Sequence, residues 1–185
     1  MKWNRRSLLA GSTLAAAAAT TGLAPLGAWA QGKKDTLTLA LVLEPPGLDP
    51  TASAASSIGE VVLYNVFETL TKINPDGSVS PLLAESWEVS PDLKTYTFRL
   101  RRGVAFHNGA PCNAAAVKFS FERAGGDKST NKDKRTFANL RVQVVDDHTV
   151  VLINQDIEPD LLFLLGQATA IIVEPKSAAT NATKP

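Results

Sequence analysis

Residues 83–111 read LAESWEVSPDLKTYTFRLRRGVAFHNGAP and contain the clearest structural pattern of the chain. Two runs in which apolar and polar residues alternate are separated by Pro91 and Asp92, and their apolar positions are Trp87, Val89, Tyr96, Phe98 and Leu100. Alternation with a period of two is typical of a strand with one buried face, and turn formers between two such runs predict a β-hairpin. The pattern favours core packing for Trp87 over its alternative role, a surface on which a ligand stacks.

Glycine and proline residues follow the hairpin in residues 102–111, RGVAFHNGAP, and mark a second turn before a helix begins. The spacing of aromatics, turns and glycine across residues 83–111 resembles the signature of the periplasmic peptide- and nickel-type solute-binding proteins, extracellular solute-binding family 5. Members of that family are the receptors of ABC importers. The resemblance extends over most of the chain, through GLDP (47–50), NVFETLTKINPDGSVSPLLAESW (65–87), VVDDHTVVL (144–152) and IIVEPKSA (171–178).

The first thirty residues have the pattern of a signal peptide. Three basic residues precede a weakly apolar run from Leu8 to Leu26, and the small residues in Ala28-Trp29-Ala30 suit cleavage after Ala30. Arg5 and Arg6, followed by Ser-Leu-Leu, resemble a twin-arginine export signal, although Asn4 stands where Ser or Thr is usual. An ordinary Sec signal is the alternative. A transmembrane helix is disfavoured because Gly, Ser and Thr interrupt the run at six positions.

Charge and cysteine content exclude several classes of function. Residues 1–30 carry three basic and no acidic residues, so their removal takes the formal charge from +1 to −2. Such a near-neutral chain lacks the basic surface that binds nucleic acid or anionic lipid. Its one cysteine, Cys112, provides neither a disulfide framework nor a lipid-acceptor site just after the signal. These features predict an exported, soluble protein with no membrane span after signal cleavage.

The predicted elements follow one another in a mixed order. Continuous apolar runs predict strands buried on both faces over Thr36–Leu43, which the sequence EPPGLDP (44–50) ends, and over Ala170–Val173. Between these strands the sequence first predicts a helix with a capping box at Ser57 and Glu60 that runs to Leu70, then a turn at Asn74–Gly77 and the first hairpin. A helix over Ala114–Ala124, capped by Asn113, and a solvated loop over Gly125–Arg135 follow. The last predicted elements are a second hairpin over Leu140–Val145 and Thr149–Ile153 and a helix over Asp160–Leu165.

This order predicts a mixed α/β (α+β) fold in which the chain leaves one sheet and returns to it. The resemblance implies a periplasmic binding protein type II-like fold, here the first-lobe portion with an inserted subdomain of hairpins and helices. It implies a division into a signal peptide (1–30), the first strand of lobe I (31–50), the inserted α+β subdomain (51–167) and the return to lobe I (168–185). Family members are much longer, so we expect an incomplete fold and an N-terminal fragment.

Few residues of the sequence suit metal binding or acid–base chemistry. His107 and Cys112 lie five residues apart across a turn, and His148 lies at the bend of the second hairpin. Two histidines and one cysteine are too few for a zinc site. We therefore interpret His107 as a turn residue and His148 as a solvated bend residue, and expect no metal and no other cofactor. Asp146 and Asp147 are adjacent, which is more typical of a turn than of an acid–base pair.

The segment Thr51–Ser57, TASAASS, is the candidate for ligand contact. Its residues are small and polar and follow a proline-rich exit from a strand, so its backbone is accessible to an extended ligand that pairs with it as an added strand. The resemblance implies the same role, because in the family the segment after the Leu-Asp-Pro turn lines the cleft. The predicted ligand-binding residues are Ser53, Ala54, Ala55 and Ser56, and an ordinary loop leading into a helix is the alternative.

The resemblance implies a binding protein without catalytic residues, not an enzyme. Such a receptor is periplasmic, captures a peptide-like small solute between two lobes and delivers it to an ABC permease in the inner membrane. The alternative function is that of a secreted α+β hydrolase. That function would need Ser120 or Cys112 as a nucleophile with a base nearby, and no sequence motif places a base there.

The arginine pair provides a test of the export route. Replacing both residues with lysine (R5K/R6K) is expected to stop the appearance of the mature form, because twin-arginine export depends on that pair. Immunoblots of periplasmic fractions would follow the processing. Mature protein at the normal rate would show that the twin-arginine route is wrong, while the Sec alternative would stand.

Overall fold

The computed structural model describes residues 38, 40–50, 53 and 55–180. Residues 1–30, for which we predict a signal peptide, lie outside this part of the chain. Leu41–Pro185 forms one structural unit. Its described elements are α1 (Ser56–Val62), β1 (Thr71–Ile73), β2 (Val79–Pro81), β3 (Ala84–Val89), β4 (Thr95–Leu100), α2 (Ala114–Gly125), α3 (Lys134–Ala138), β5 (Leu140–Asp146), β6 (Thr149–Asn154), α4 (Leu161–Leu164), a 3₁₀ helix (Ala168–Ala170) and α5 (Pro175–Thr180).

The two predicted hairpins are confirmed, and they join into one antiparallel sheet with the strand order β3-β4-β6-β5. In the first hairpin Trp87 pairs with Phe98. Phe98 in turn pairs with Val150 across the contact between β4 and β6. This register places the apolar residues of the central strands on one face of the sheet, where Tyr96, Phe98, Leu100, Val150 and Leu152 are buried.

Helix α2 packs against this buried face, over β5 and β6. It begins where predicted, because the Asn113 side chain accepts a hydrogen bond from the Ala116 amide at 3.2 Å and so satisfies one of the amides that a helix start leaves unpaired. Val117, Phe121 and Ala124 form its buried stripe. Trp87 is half-buried and packs on the Phe98 ring, with 6.1 Å between the ring centroids, in agreement with the core role expected for it.

A second, two-stranded sheet is formed by β1 and β2 around the predicted Asn74–Gly77 turn. Gly77 has a φ of 82°, a left-handed conformation that glycine adopts at no steric cost. The Tyr64 hydroxyl links β1 to the segment after α4. It accepts a hydrogen bond from the Ile73 amide at 2.9 Å and donates one to the Gly166 carbonyl at 2.6 Å.

Helix α1 is shorter than predicted, and the capping box is wrong. Ala55 is the N-cap and offers no side-chain hydrogen bond, while Ser57 lies inside the helix and is buried. The helix ends at Val62 because the chain turns there, with Tyr64 in the left-handed region at a φ of 61°. The apolar residues that continued the helical spacing lie beyond this turn, and Val66 is exposed.

The two strands predicted from apolar runs do not form sheet in the described residues. Ala40–Leu43 are exposed and in no strand, because none of the described strands runs beside them; Thr36, Leu37 and Leu39 lie outside the described residues. The segment 170–173 is buried as expected, but it consists of the end of the 3₁₀ helix and an extended stretch. Its backbone bonds to residues outside the described strands: the Ile172 amide donates to the Glu68 carbonyl at 2.9 Å.

The loop predicted to be solvated over Gly125–Arg135 is in fact partly buried. Asn131 is buried and donates from Nδ2 to the Thr169 carbonyl at 2.8 Å, and α3 already begins at Lys134. Gly125 lies so close to α3 that a Cβ on it would approach the Ala138 amide nitrogen to 2.6 Å. The polar composition of this loop therefore supplies contacts between elements as well as solvation.

Phe98 is fully buried at the centre of the sheet, so its truncation tests the register. F98A is expected to lower the free energy of unfolding by about 3–5 kcal/mol, through lost burial and the cavity left behind. F163A is the matched control, because Phe163 is 37% exposed, and it should cost less than about 1 kcal/mol. Urea unfolding followed by circular dichroism measures both. Equal midpoints for F98A and the wild type would contradict the register.

Candidate ligand-binding cleft

One concave surface, which we call the cleft, encloses about 1020 Å³. That volume is at the upper end of the range of roughly 300–1,000 Å³ that is typical of small-ligand sites. Four segments form most of its wall: residues 46–49 with Ser53, residues 64–68, residues 104–108 with Cys112, and residues 172–174 with Ser177 and Ala178. The first three lie at turns or between regular elements, and the fourth leads into α5, which carries Ser177 and Ala178, so most of the cleft is built from connections between elements.

The extended stretch Ile172–Glu174 is held to α2 by Ser120. The Val173 amide donates to the Ser120 hydroxyl oxygen at 2.9 Å, and that hydroxyl donates to the Ala116 carbonyl at 2.7 Å. Ser120 is buried, and a buried amide left without a partner is costly. Among the described residues no strand lies beside this stretch, and Ser120 supplies the hydrogen-bond acceptor that a neighbouring strand would otherwise provide.

The proline-rich turn is held to the end of α2 by an ion pair. Arg123 and Asp49 approach to 2.6 Å, and their side chains are 22% and 15% exposed. A partly buried, hydrogen-bonded pair of this kind fixes geometry more strongly than an exposed one. It places residues 46–49, which include the first three residues of the GLDP turn (47–50), along one side of the cleft.

The RGVAFHNGAP segment forms a small hairpin that supplies another side. The Cys112 amide donates to the Val104 carbonyl at 3.0 Å and the Phe106 amide to the Ala110 carbonyl at 2.8 Å. The turn closes through Asn108, whose Oδ1 accepts from the Ala110 amide at 3.0 Å, and Gly109 adopts a φ of 82°. This geometry places Phe106 and His107 in the wall of the cleft.

The predicted ligand-binding residues are only partly brought to the cleft. Ser53 lines it and accepts a hydrogen bond at Oγ from the Ala55 amide at 3.3 Å. Ala55 is the N-cap of α1 and Ser56 is its exposed first residue, and neither is among the lining residues. Ala54 lies outside the described residues. A ligand-binding role for the four remains a prediction.

The aromatic part of the wall was not predicted from the sequence. Tyr64, Phe67 and Phe106 line the cleft together with the carboxylate residue Glu68. The first two occupied positions in a predicted helix and the third a predicted turn, so no pattern connected them. The one available signal was an aromatic residue in a glycine-rich turn, as at Phe106, because binding residues lie disproportionately often on turns and loops.

Burial and charge suppress the reactivity of Cys112. Burial, and to a smaller extent the charge of Glu68, raises the pKa of the thiol to about 11. The thiolate is the nucleophilic form, so Cys112 is a poor nucleophile at neutral pH. Ser120 is no better placed, because its buried hydroxyl is engaged by Ala116 and Val173. These contacts give the hydrolase alternative no support.

The titratable residues considered for other chemistry are dispersed. His107 is exposed at the cleft, whereas His148 is half-buried at the bend between β5 and β6, less solvated than expected, with an Nδ1 that has no partner in the described structure. Asp146 accepts from the His148 amide at 2.7 Å, as a turn residue does. In the described part of the chain, no three His, Cys, Asp or Glu residues gather in a way that could hold a metal ion.

The Cys112 thiol provides a test of this environment. With a pKa of about 11, its thiolate fraction at pH 8 is roughly a hundredfold below that of a thiol of pKa 9, so alkylation by iodoacetamide should be slower by about that factor than in the urea-unfolded chain. Because the pKa of Cys112 is higher in the folded chain than in the unfolded chain, this residue also contributes to the free energy of unfolding. That contribution is present below pH 9 and is lost as the pH rises towards about 11. Mass spectrometry of timed aliquots measures the labelling. Equal rates in the folded and unfolded chains would contradict the assigned environment.

The helices among the described residues are all too short or too polar to cross a membrane.

Residues 78–185, more than half of the chain, match the family model for bacterial extracellular solute-binding proteins, family 5 Middle. The glutathione-binding protein GsiB of Salmonella choleraesuis (strain SC-B67) is 36% identical over 127 residues, which cover 68% of this chain and 25% of GsiB. The oligopeptide-binding protein OppA of Bacillus subtilis (strain 168) is 29% identical over 201 residues, which cover 97% of this chain and 36% of OppA.

A solved structure shows the same arrangement of elements. The periplasmic binding protein AgaA of A. tumefaciens R10, in complex with agropinic acid, superposes with a TM-score of 0.71 at 33% identity, over 77% of this chain and 29% of AgaA. The chain thus spans between 25% and 36% of the length of these three proteins. The predicted fold of a type II periplasmic binding protein is confirmed, in part of its extent. The chain belongs to the bacterial extracellular solute-binding proteins of family 5.

Proposed function

We propose that the chain is part of the periplasmic solute-binding component of an ABC importer and takes up peptides or similar small solutes. The observation that carries the proposal is the cleft of about 1020 Å³ with an apolar and aromatic wall, within a chain of this family. The relatives bear on the ligand class, since GsiB is named for glutathione and OppA for oligopeptides. Binding, without a reaction, is the activity that such a wall supports.

The cleft offers two kinds of contact to a peptide-like solute. Tyr64, Phe67 and Phe106 can bury apolar or planar groups. Ser53 lines the same surface, and its backbone would pair with an extended ligand. Aromatic packing and backbone pairing are largely independent of side-chain identity, so this combination suits a class of peptides better than one sequence.

The remaining parts of the proposal concern the wider protein. Residues 51–167 would form the inserted subdomain, and residues 31–50 and 168–185 would belong to the first lobe. The Asp49–Arg123 pair would join the subdomain to the first of these segments, and the Ser120–Val173 bond would join it to the second. Residues 1–30 would direct export to the periplasm, where the protein would meet its inner-membrane permease. A receptor of this type closes two lobes around its solute, and the cleft would supply part of one wall.

Nuclear magnetic resonance of the ¹⁵N-labelled 185-residue chain tests the proposal, because it detects binding even in the millimolar range. Titration with trialanine and with reduced glutathione is expected to shift amide signals around Ser53, Phe67 and Phe106 along saturable curves. Glucose serves as the control solute. No saturable shift with either peptide, or shifts confined to the outer face of the four-stranded sheet, would contradict a peptide-binding cleft.

A pair of variants localises the binding. F106A should weaken trialanine binding by roughly fivefold or more, because Phe106 lines the cleft and its contact area is lost. F163A removes the same side chain from an exposed position of helix α4, outside the cleft, and should leave the affinity unchanged. Equal loss in both variants would place the binding elsewhere.

A further inference from the structure

The charges along the cleft wall are of one sign. The acidic residues Asp49, Glu68 and Glu174 line it, whereas no lysine or arginine is among its described lining residues. The other titratable residues among those that line the cleft are His107, Tyr64 and Cys112. A concave surface lined by one sign of charge raises the local concentration of the opposite charge. The cleft is therefore expected to discriminate among solutes by their charge.

Two of the three carboxylates already have strong partners. Asp49 pairs with Arg123 at 2.6 Å. Glu174 accepts hydrogen bonds from the Ser177 amide and hydroxyl at 2.6 and 2.7 Å and from the Lys176 amide at 3.1 Å, contacts that lower its pKa. Both carboxylates thus stabilise the chain segments that carry them.

Glu68 differs, because its carboxylate has no hydrogen-bond or ion-pair partner among the described residues. Its backbone is fixed, since the Glu68 carbonyl accepts from the Ile172 amide at 2.9 Å. Its side chain is exposed and lines the cleft, and its charge contributes, after burial, to the raised pKa of the Cys112 thiol. The position of Glu68 is set by the fold while its charge is available to a ligand.

Aromatic residues accompany this free carboxylate. Tyr64 and Phe67 precede it on the same segment, and Phe106 lines the cleft from the small hairpin. Aromatic faces attract cations, and a carboxylate beside them adds direct Coulombic attraction. The Tyr64 ring already receives one cation, the Lys72 ammonium, 5.6 Å from the ring centroid. The wall has the chemistry to hold an ammonium or guanidinium group.

We infer that the cleft selects solutes that carry a cationic group, such as a lysine or arginine side chain, and that Glu68 is the residue that determines this preference. The inference rests on the proposed function, because it assumes that the solute occupies this cleft. It adds the charge class of the solute and names the side chain that recognises it. Asp49 and Glu174 would contribute only to the general field, since their oxygens are engaged by the chain itself.

Three blocked tripeptides, N-acetyl-Ala-X-Ala-amide with X as Lys, Met or Glu, isolate the effect because they have no charged termini. Titration into the 185-residue chain by nuclear magnetic resonance at low ionic strength should give binding about three- to tenfold tighter for Lys than for Met, with Glu weakest. Added salt at ~0.5 M should reduce the difference. E68Q should abolish the preference while binding of the Met peptide persists.

The matched control is E60Q, which removes the same charge from the exposed side of α1, outside the cleft, and should leave the preference intact. Equal affinities for the three peptides in the wild type would overturn the inference and leave the proposed function standing. A lysine preference that survives in E68Q would overturn the role of Glu68. No binding of any of the three peptides would contradict the proposed function itself.

Discussion

The packing of helix α2 against the buried face of the four-stranded sheet is the contact on which the rest of the described structure depends. Val117, Phe121 and Ala124 bury one side of the helix in the core. The same helix holds two walls of the cleft, through Ser120 to Val173 and through Arg123 to Asp49. Loss of the core packing would therefore also remove the contacts by which α2 positions these two walls.

The buried stretch Ile171–Val173 shows how a segment without sheet pairing can still be fixed. Its amides bond to a carbonyl and a hydroxyl of other segments, at Glu68 and Ser120. Leaving a buried amide unpaired costs about 1–3 kcal/mol, so these bonds make the observed path much more favourable than its alternatives. A hydroxyl that would destabilise the middle of an isolated helix has a structural purpose here.

Local patterns were sufficient to predict the elements whose shape is decided by neighbours in sequence. The period-two alternation around Trp87 and Phe98 and the Asn113 cap both predicted the observed hairpin and helix start. Predictions failed where distant contacts decide. The apolar spacing from Ile58 to Leu70 resembled one helix, yet Tyr64 turns the chain so that its hydroxyl reaches Gly166. An apolar run such as Ile171–Val173 predicts burial but cannot specify which group pairs with its amides.

The same distinction applies to the cleft. Ser53 was predicted from composition and does line the cleft. Glu68 and Phe106 line it from separate segments, of which the first is fixed by the remote Ile172 amide and the second by bonds within its own small hairpin. Neither side chain is fully buried: Glu68 is exposed, and Phe106 is partly buried and packs against the core. Substitution at these turns can therefore change what the cleft binds while leaving the fold intact, which is how one scaffold accommodates different solutes. Ligand specificity in this chain is consequently expected to lie in residues such as Glu68, and stability in residues such as Phe98 and Phe121.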